Sequence, residues 1–317
     1  MNQKILNDAD WMTYYQVAKD YWKRFEPEKS ARTCLSYLRT RITHPAFNFD
    51  NKSSSQLKII LGAGGSGKRW LDFMGRPKHL VDTGDGLPLV QRTINLLSQE
   101  FEDSEIYLVI GKENKETYSG VTGCTFLYRR QSPDSSLYLE IIDDQIRGFA
   151  GEHDTLWLHG DVYWSRTGIQ CIKKIVSGSN ALRVFGRKQR NPAYGNNGGE
   201  DFGWFIPRNQ VQTLRDWYMM TRELYISTPI YRVSTWELVS MISLAKKQGF
   251  SSPSDLKSHF SSPQHLCDSI AHIFNTRDFS RDLWAEIDDA TEDFDFPIEY
   301  LNRLFLMVER IGLGAWQ

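Results

Sequence analysis

A chain of 317 residues, 40% hydrophobic and 24% charged, can bury the core of one or two domains. Thirty-eight Lys and Arg against 39 Asp and Glu leave a net charge of −1, which excludes a general nucleic-acid or membrane-surface binder that captures phosphate through a basic excess. No window approaches the ~18 unbroken apolar residues of a membrane span, and Met1-Asn2-Gln3-Lys4 leads into a mixed polar stretch, so neither membrane nor signal peptide is expected. Cys34, Cys124, Cys171 and Cys267 are far apart and form no C-x-x-C, the pattern of reduced thiols in a cytoplasmic protein.

Residues 8–45 read as two amphipathic helices. Trp11, Tyr14, Tyr15, Ala18, Trp22 and Phe25 recur at spacings of three and four, Pro27 interrupts, and Ala31, Cys34, Leu35, Leu38 and Ile42 resume the stripe. A polar linker, NKSSSQ, closes this N-terminal helical extension over residues 1–56. From residue 57 strands alternate with helices. Residues 57–61 (LKIIL) predict a strand, 90–97 a helix, 105–111 (EIYLVIG) a strand, 125–128 a third strand, 137–147 a helix, and 155–159 (TLWLH) a strand running into Gly160-Asp161. This order predicts an α/β fold, a mostly parallel central sheet flanked by helices, with functional groups at the carboxyl ends of the strands. Residues 187–200 (RKQRNPAYGNNGGE) predict a loop. A helical insertion is expected over about 210–280, with helices at 211–221 and 235–248 and a loop around a short helix at 251–263. Pro297 opens a last helix to about 311.

The loop after the first strand is Gly62-Ala63-Gly64-Gly65-Ser66-Gly67-Lys68-Arg69. Gly62, Gly67 and Lys68 fit the P-loop G-x-x-x-x-G-K-[ST], but Arg69 stands where a hydroxyl would hold Mg²⁺. A kinase of P-loop type is therefore disfavoured. Downstream come Arg76-Pro77-Lys78-His79-Leu80 and Gly86-Leu87-Pro88-Leu89-Val90. The three pieces together resemble the N-terminal signature of the nucleotidyltransferases with a glycosyltransferase-A-like fold, which include sugar-phosphate nucleotidylyltransferases and phosphocholine cytidylyltransferases. That signature is G-G-x-G-x-R, then P-K-x-L, then a G-x-P-L turn and helix. The chemistry suits it: glycines let backbone N–H groups approach a triphosphate, and arginine and lysine neutralise its charge.

His159-Gly160-Asp161 resembles the family's metal-binding aspartate at a strand end. Trp284-Ala285-Glu286-Ile287-Asp288-Asp289-Ala290-Thr291-Glu292-Asp293 resembles its late W-x-E-I-D-T-x-E-D-L stretch. Ser132 to Leu139 (SPDSSLYL) resembles a region of the phosphocholine-type enzymes beside base and ribose.

The resemblance implies a Rossmann-like, GT-A-type nucleotidyltransferase core over 57–317. It implies transfer of a nucleoside monophosphate, CMP first, from a triphosphate such as CTP to a small phosphorylated acceptor. It further implies Mg²⁺ on Asp161, Asp288 and Glu286, phosphate charge on Arg69 and Lys78, and nucleotide contacts from Gly62, Ala63, Gly64, Gly65, Ser66, Gly67, Lys68, Ser135 and Ser136. Arg187, Lys188, Tyr194, Glu200 and Asp201 are candidates for the acceptor side. A glycosyltransferase of the same fold, whose D-x-D Asp161-Val162-Tyr163 lacks, and a non-catalytic nucleotide-binding regulator are the competing readings.

Overall fold

The computed structural model describes residues 57–63, 70, 73–84, 86–128, 153–188, 199–227, 235–287, 291–294 and 300–301. The expected N-terminal extension, the helix at 137–147 and nearly all of the last helix lie outside these residues.

Apolar runs too short for helices become the inner strands. LKIILG forms β1 (Leu57–Gly62), buried along all but its last residue, as a strand covered on both faces requires. It is flanked in parallel by β2 (Glu105–Ile110) and β4 (Asp154–His159), with Ile60 opposite both Tyr107 and Trp157. β3 (Thr125–Tyr128) extends the sheet beyond β2. On the other side lie β7 (Glu200–Ile206), β6 (Arg183–Arg187) and β8 (Trp284–Glu286), giving the order β3-β2-β1-β4-β7-β6-β8. β7 runs antiparallel to both neighbours, while β6 and β8 are parallel to each other. A two-residue ribbon, β5 (Val162–Tyr163) with β9 (Glu292–Asp293), stands outside the main sheet.

Alternation along the strands sends side chains to two cores. Ile60, Val109, Trp157, Val184 and Trp204 pack with α3 (Val211–Ser227), α4 (Thr235–Gln248) and α6 (Pro263–Thr276) through Leu214, Trp217, Val239, Ile242 and Ile270. Ile59, Leu61, Leu108, Leu156, Leu158 and Phe205 pack with α1 (Leu89–Glu100) and α2 (Arg166–Ser177) through Val90, Ile94, Leu97, Ile169 and Ile172. Each such side chain contributes about 1.5–3 kcal/mol on full burial.

Local signals start the helices. Ser165 Oγ accepts from the Gly168 N–H at 2.8 Å and caps α2. α5 (Pro253–His259) and α6 both open on a Ser-Pro pair, the serine capping and the proline presetting the first turn. A third cluster, Trp70, Val81, Leu89, Tyr163, Phe294, Tyr300 and Leu301, pins the segment after the glycine loop. Within it the Trp70 indole donates to the Phe73 and Arg76 carbonyls, and the Tyr300 hydroxyl donates to the Asp82 carbonyl at 2.7 Å.

Gly203 lies where β7 crosses closest to β4. A Cβ there would stand 2.4 Å from the Trp157 carbonyl oxygen and 2.6 Å from Leu158 Cδ2. Gly203→Ala should destabilise the fold by at least about 1–3 kcal/mol, since backbone must move; an unchanged urea midpoint would contradict this β4–β7 spacing.

Some observed elements outrun the expected ones, whereas strand 105–111 stops at Ile110. Strand 57–61 includes Gly62, helix 90–97 runs to Glu100, and helix 211–221 runs to Ser227. Among the described residues no helix is long and apolar enough to cross a membrane, and Cys124, Cys171 and Cys267 form no disulfide.

Candidate active site

The chain leaves β1 toward β2 on one side, and after β3 returns to β4 on the other side of β1. Strand order therefore reverses between β1 and β4, and the carboxyl ends flanking such a switch point form the crevice where open α/β sheets bind ligands. Gly62 and His159 are register partners at that edge. The Gly160 N–H donates to the Gly62 carbonyl and the Ala63 N–H to the Val109 carbonyl, each at 2.9 Å, so the loops leaving β1 and β4 are tied together. Only glycine permits the approach: a Cβ on Gly160 would lie 2.9 Å from the Gly62 oxygen.

Between buried Ala63 and buried Trp70 runs the glycine segment. Gly64, Gly65, Ser66, Gly67, Lys68 and Arg69 are outside the described residues, as are Ser135, Ser136, Tyr194 and Asp288. The strand end that launches the segment is where the sequence placed it.

Lys78 sits in a short 3₁₀ turn (Lys78–Leu80) that Pro77 starts. It is buried, and its Nζ forms an ion pair with Asp161 Oδ2. Asp161 occupies the turn between β4 and β5, and its carbonyl accepts from the Phe294 N–H at 3.1 Å. Burial alone would raise the Asp161 pKa, but the charges of Lys78, His79 and His159 and the hydrogen bond from Lys78 hold it far below the usual carboxylate range. The carboxylate is thus ionised at any working pH.

Two histidines frame this pair in opposite states. His79 is buried, its Nδ1 3.0 Å from the Tyr118 hydroxyl, and burial, reinforced by Lys78 and partly opposed by Asp161, lowers its pKa to about 4. His159 Nε2 lies 2.5 Å from Asp201 Oδ1. Burial pulls its pKa down, yet the Asp201 charge and hydrogen bond, with Asp161 adding, carry it above the ordinary value.

Farther along the edge, Arg187 at the end of β6 and Glu200 at the start of β7 are both buried and ion-paired to each other. Arg187 Nη1 also donates to the Thr291 carbonyl at 3.2 Å, and the guanidinium lies over the Phe202 ring. Arg187 and Glu200 thus tie the β6–β7 hairpin to the 291 strap, a structural use of two residues that the sequence offered as acceptor ligands. Glu286 accepts from the Lys188 N–H on Oε1 and from the Trp284 indole on Oε2, each at 2.8 Å, so both its oxygens already have donors. The Ile287 N–H donates to the Gly186 carbonyl, and Thr291 Oγ1 accepts from the Ser165 N–H at 3.2 Å. Ile287 and Thr291 are thus both anchored on this same edge.

Among the described residues no three His, Cys, Asp or Glu side chains are grouped to hold a metal ion. A Mg²⁺ site does not demand three: the ion commonly rests on one or two carboxylates, with water and substrate phosphate completing the shell. Asp161, held ionised by Lys78 and at the mouth of the crevice, fits that donor chemistry. Glu286 fits it as a group orienting its neighbours through its two occupied oxygens.

His159, His79 and Tyr118 take part without having been singled out from the sequence. His159 carried one usable signal, its position two residues beyond Trp157 on the same strand face. Its partner Asp201 is 42 residues away and becomes its neighbour only through the antiparallel β7.

No known family pattern and no curated protein matches the chain. Among solved structures it is similar to a UDP-glucose pyrophosphorylase complexed with UDP-glucose, with 12% identity over 81% of this chain and 100% of the other and a TM-score of 0.47. It is similar to the 4-diphosphocytidyl-2C-methyl-D-erythritol synthase of Anaerococcus prevotii, with 12% identity over 80% and 96% and a TM-score of 0.43. It is also similar to the CTP:phosphocholine cytidylyltransferase of Streptococcus pneumoniae, with 12% identity over 80% and 100% and a TM-score of 0.42. These neighbours are nucleotidyltransferases.

Proposed function

We propose that this protein is a Mg²⁺-dependent nucleotidyltransferase that transfers a nucleoside monophosphate from a triphosphate to a small phosphorylated acceptor. The observation that carries the reading is the Lys78–Asp161 pair. It joins the P-K-x-L turn to the end of β4, beside the strand end from which the glycine loop departs. CTP is the first donor to test, on the resemblance of residues 132–139.

An oxygen of the acceptor phosphate attacks the α-phosphorus. The new P–O bond forms as the bond from the α-phosphorus to the α–β bridging oxygen breaks, and pyrophosphate departs with that electron pair. No general base is needed, because a phosphate dianion is already nucleophilic near pH 7. The work is positioning and charge neutralisation. Gly64, Gly65 and Gly67 would offer backbone N–H groups, Arg69 would carry charge on the leaving phosphates, and Lys78 would turn toward the α-phosphate. Asp161 and Asp288 would hold Mg²⁺, which when bound neutralises phosphate charge and aligns the reacting oxygens. The His159–Asp201 contact holds the β4 end, from which Asp161 projects, against β7.

A thermal-shift panel of CTP, UTP, GTP, ATP and dTTP, with and without Mg²⁺, tests this. The expected result is a Mg²⁺-enhanced rise in Tm with one triphosphate, followed by pyrophosphate release when a phosphorylated acceptor is added. A shift with nucleoside diphosphate-sugars alone would replace the reading with glycosyl transfer.

A further inference from the structure

Asp201 is 8% exposed, and its two carboxylate oxygens differ. Oδ1 is engaged by His159 Nε2 at 2.5 Å; Oδ2 is buried and has no hydrogen-bond partner among the described residues. A buried carboxylate oxygen without a donor is costly, and such an atom in a native site calls for a ligand or water that supplies the missing proton. Its place is the carboxyl edge of the sheet. Asp201 is the second residue of β7, whose Gly203 pairs with Leu158 beside the end of β4, and the His159 ring stands edge-on to Trp157 with centroids 4.5 Å apart.

We propose that Asp201 Oδ2 accepts a hydrogen bond from a hydroxyl of the acceptor, so that this site takes a phosphorylated sugar or polyol in preference to a phosphorylated quaternary amine. A trimethylated ammonium brings charge but no proton, and would leave Oδ2 as unsatisfied as before. The inference rests on the nucleotidyl-transfer reading for the identity of the site and adds to it the chemistry of the second substrate.

The test uses the full chain with Mg²⁺ and the triphosphate that the shift panel selects. Binding and pyrophosphate release are measured with glycerol 3-phosphate, ribose 5-phosphate, glucose 1-phosphate, propyl phosphate and phosphocholine. At least one hydroxylated compound should bind and react at least about tenfold better than both propyl phosphate, which lacks the hydroxyls, and phosphocholine. Asp201→Asn should raise the acceptor KM at least about tenfold, and by more than it raises the triphosphate KM. Equal use of propyl phosphate would mean that water satisfies Oδ2, and would overturn the proposal. So would preferred use of phosphocholine, or binding of no hydroxylated compound. Hydroxylated phosphates that bind in an Asp201-dependent way but release no pyrophosphate with any triphosphate would overturn nucleotidyl transfer and leave the polyol site standing. The wild-type comparison decides the matter even if the variant does not fold.

Discussion

Asp161→Asn should lower Mg²⁺-dependent pyrophosphate release at least about a hundredfold while the chain still folds. Asparagine keeps the shape of the side chain and removes the charge, which is the property Asp161 brings to the site: a carboxylate held ionised by Lys78, His79 and His159 at the edge where phosphates would meet. The substitution also takes the Asp161 charge away from buried Lys78, and removing one member of a buried pair costs about 3–5 kcal/mol. A loss of activity could then be blamed on weakened folding. The double variant Lys78→Met with Asp161→Leu separates the two effects. Replacing both members by apolar groups removes the stranded charge, so its urea midpoint should return toward wild type while turnover stays lost. Turnover that recovers with stability would show that the pair is only structural, and normal turnover in Asp161→Asn alone would remove the cation site.

The parts of the fold that were legible in the sequence are those in which local pattern and tertiary environment agree. LKIIL and TLWLH are too short and too apolar for surface helices, and both are inner strands. Thr235–Gln248 has the periodicity and the terminal lysines of a helix and is one over that range. What was not legible depended on distant partners. β6 reads RVFGR, and its flanking arginines look like surface charge; Arg187 is buried against distant partners, Glu200 across the hairpin, the Thr291 carbonyl and the Phe202 ring. α2 is different: Ile169, Ile172, Ile175 and Val176 recur at helical spacing behind the Ser165 cap, so its signal was local and was missed. The reversed direction of β7 has no local signature, yet it places Asp201 on His159.

For the candidate site the same division holds. Strand-end positions of the glycine loop and of Gly160-Asp161 were readable because a strand's end is a local event. The pairing of Lys78 with Asp161 was not, since it joins positions 83 residues apart through the turn that Pro77 begins. That turn also buries a histidine beside the lysine, and the neighbourhood dictates its charge. Burial requires this histidine to stay neutral, with the Asp161 charge opposing that effect and the Lys78 ammonium adding to it.

That requirement gives the chain an acid sensitivity with a defined window. His79 titrates near the ordinary 6.5 when unfolded and at about 4 when folded. Between those values the unfolded chain binds a proton that the folded chain refuses, so stability rises with pH across the interval and falls on acidification. The full difference corresponds to about 3 kcal/mol lost between pH 6.5 and pH 4. Asp161 contributes in a lower range: its stabilisation is complete above the ordinary carboxylate value near 4 and is lost progressively as pH falls from there toward its depressed pKa. His79→Gln, which stays uncharged and keeps a polar group near the Tyr118 hydroxyl, should therefore flatten the stability profile between pH 6.5 and 4 and leave the steeper loss below pH 4 in place. Urea unfolding of both proteins at intervals across pH 3.5–7 measures it. Parallel profiles above pH 4 would mean that His79 accepts its proton in the folded chain and that burial does not hold it neutral.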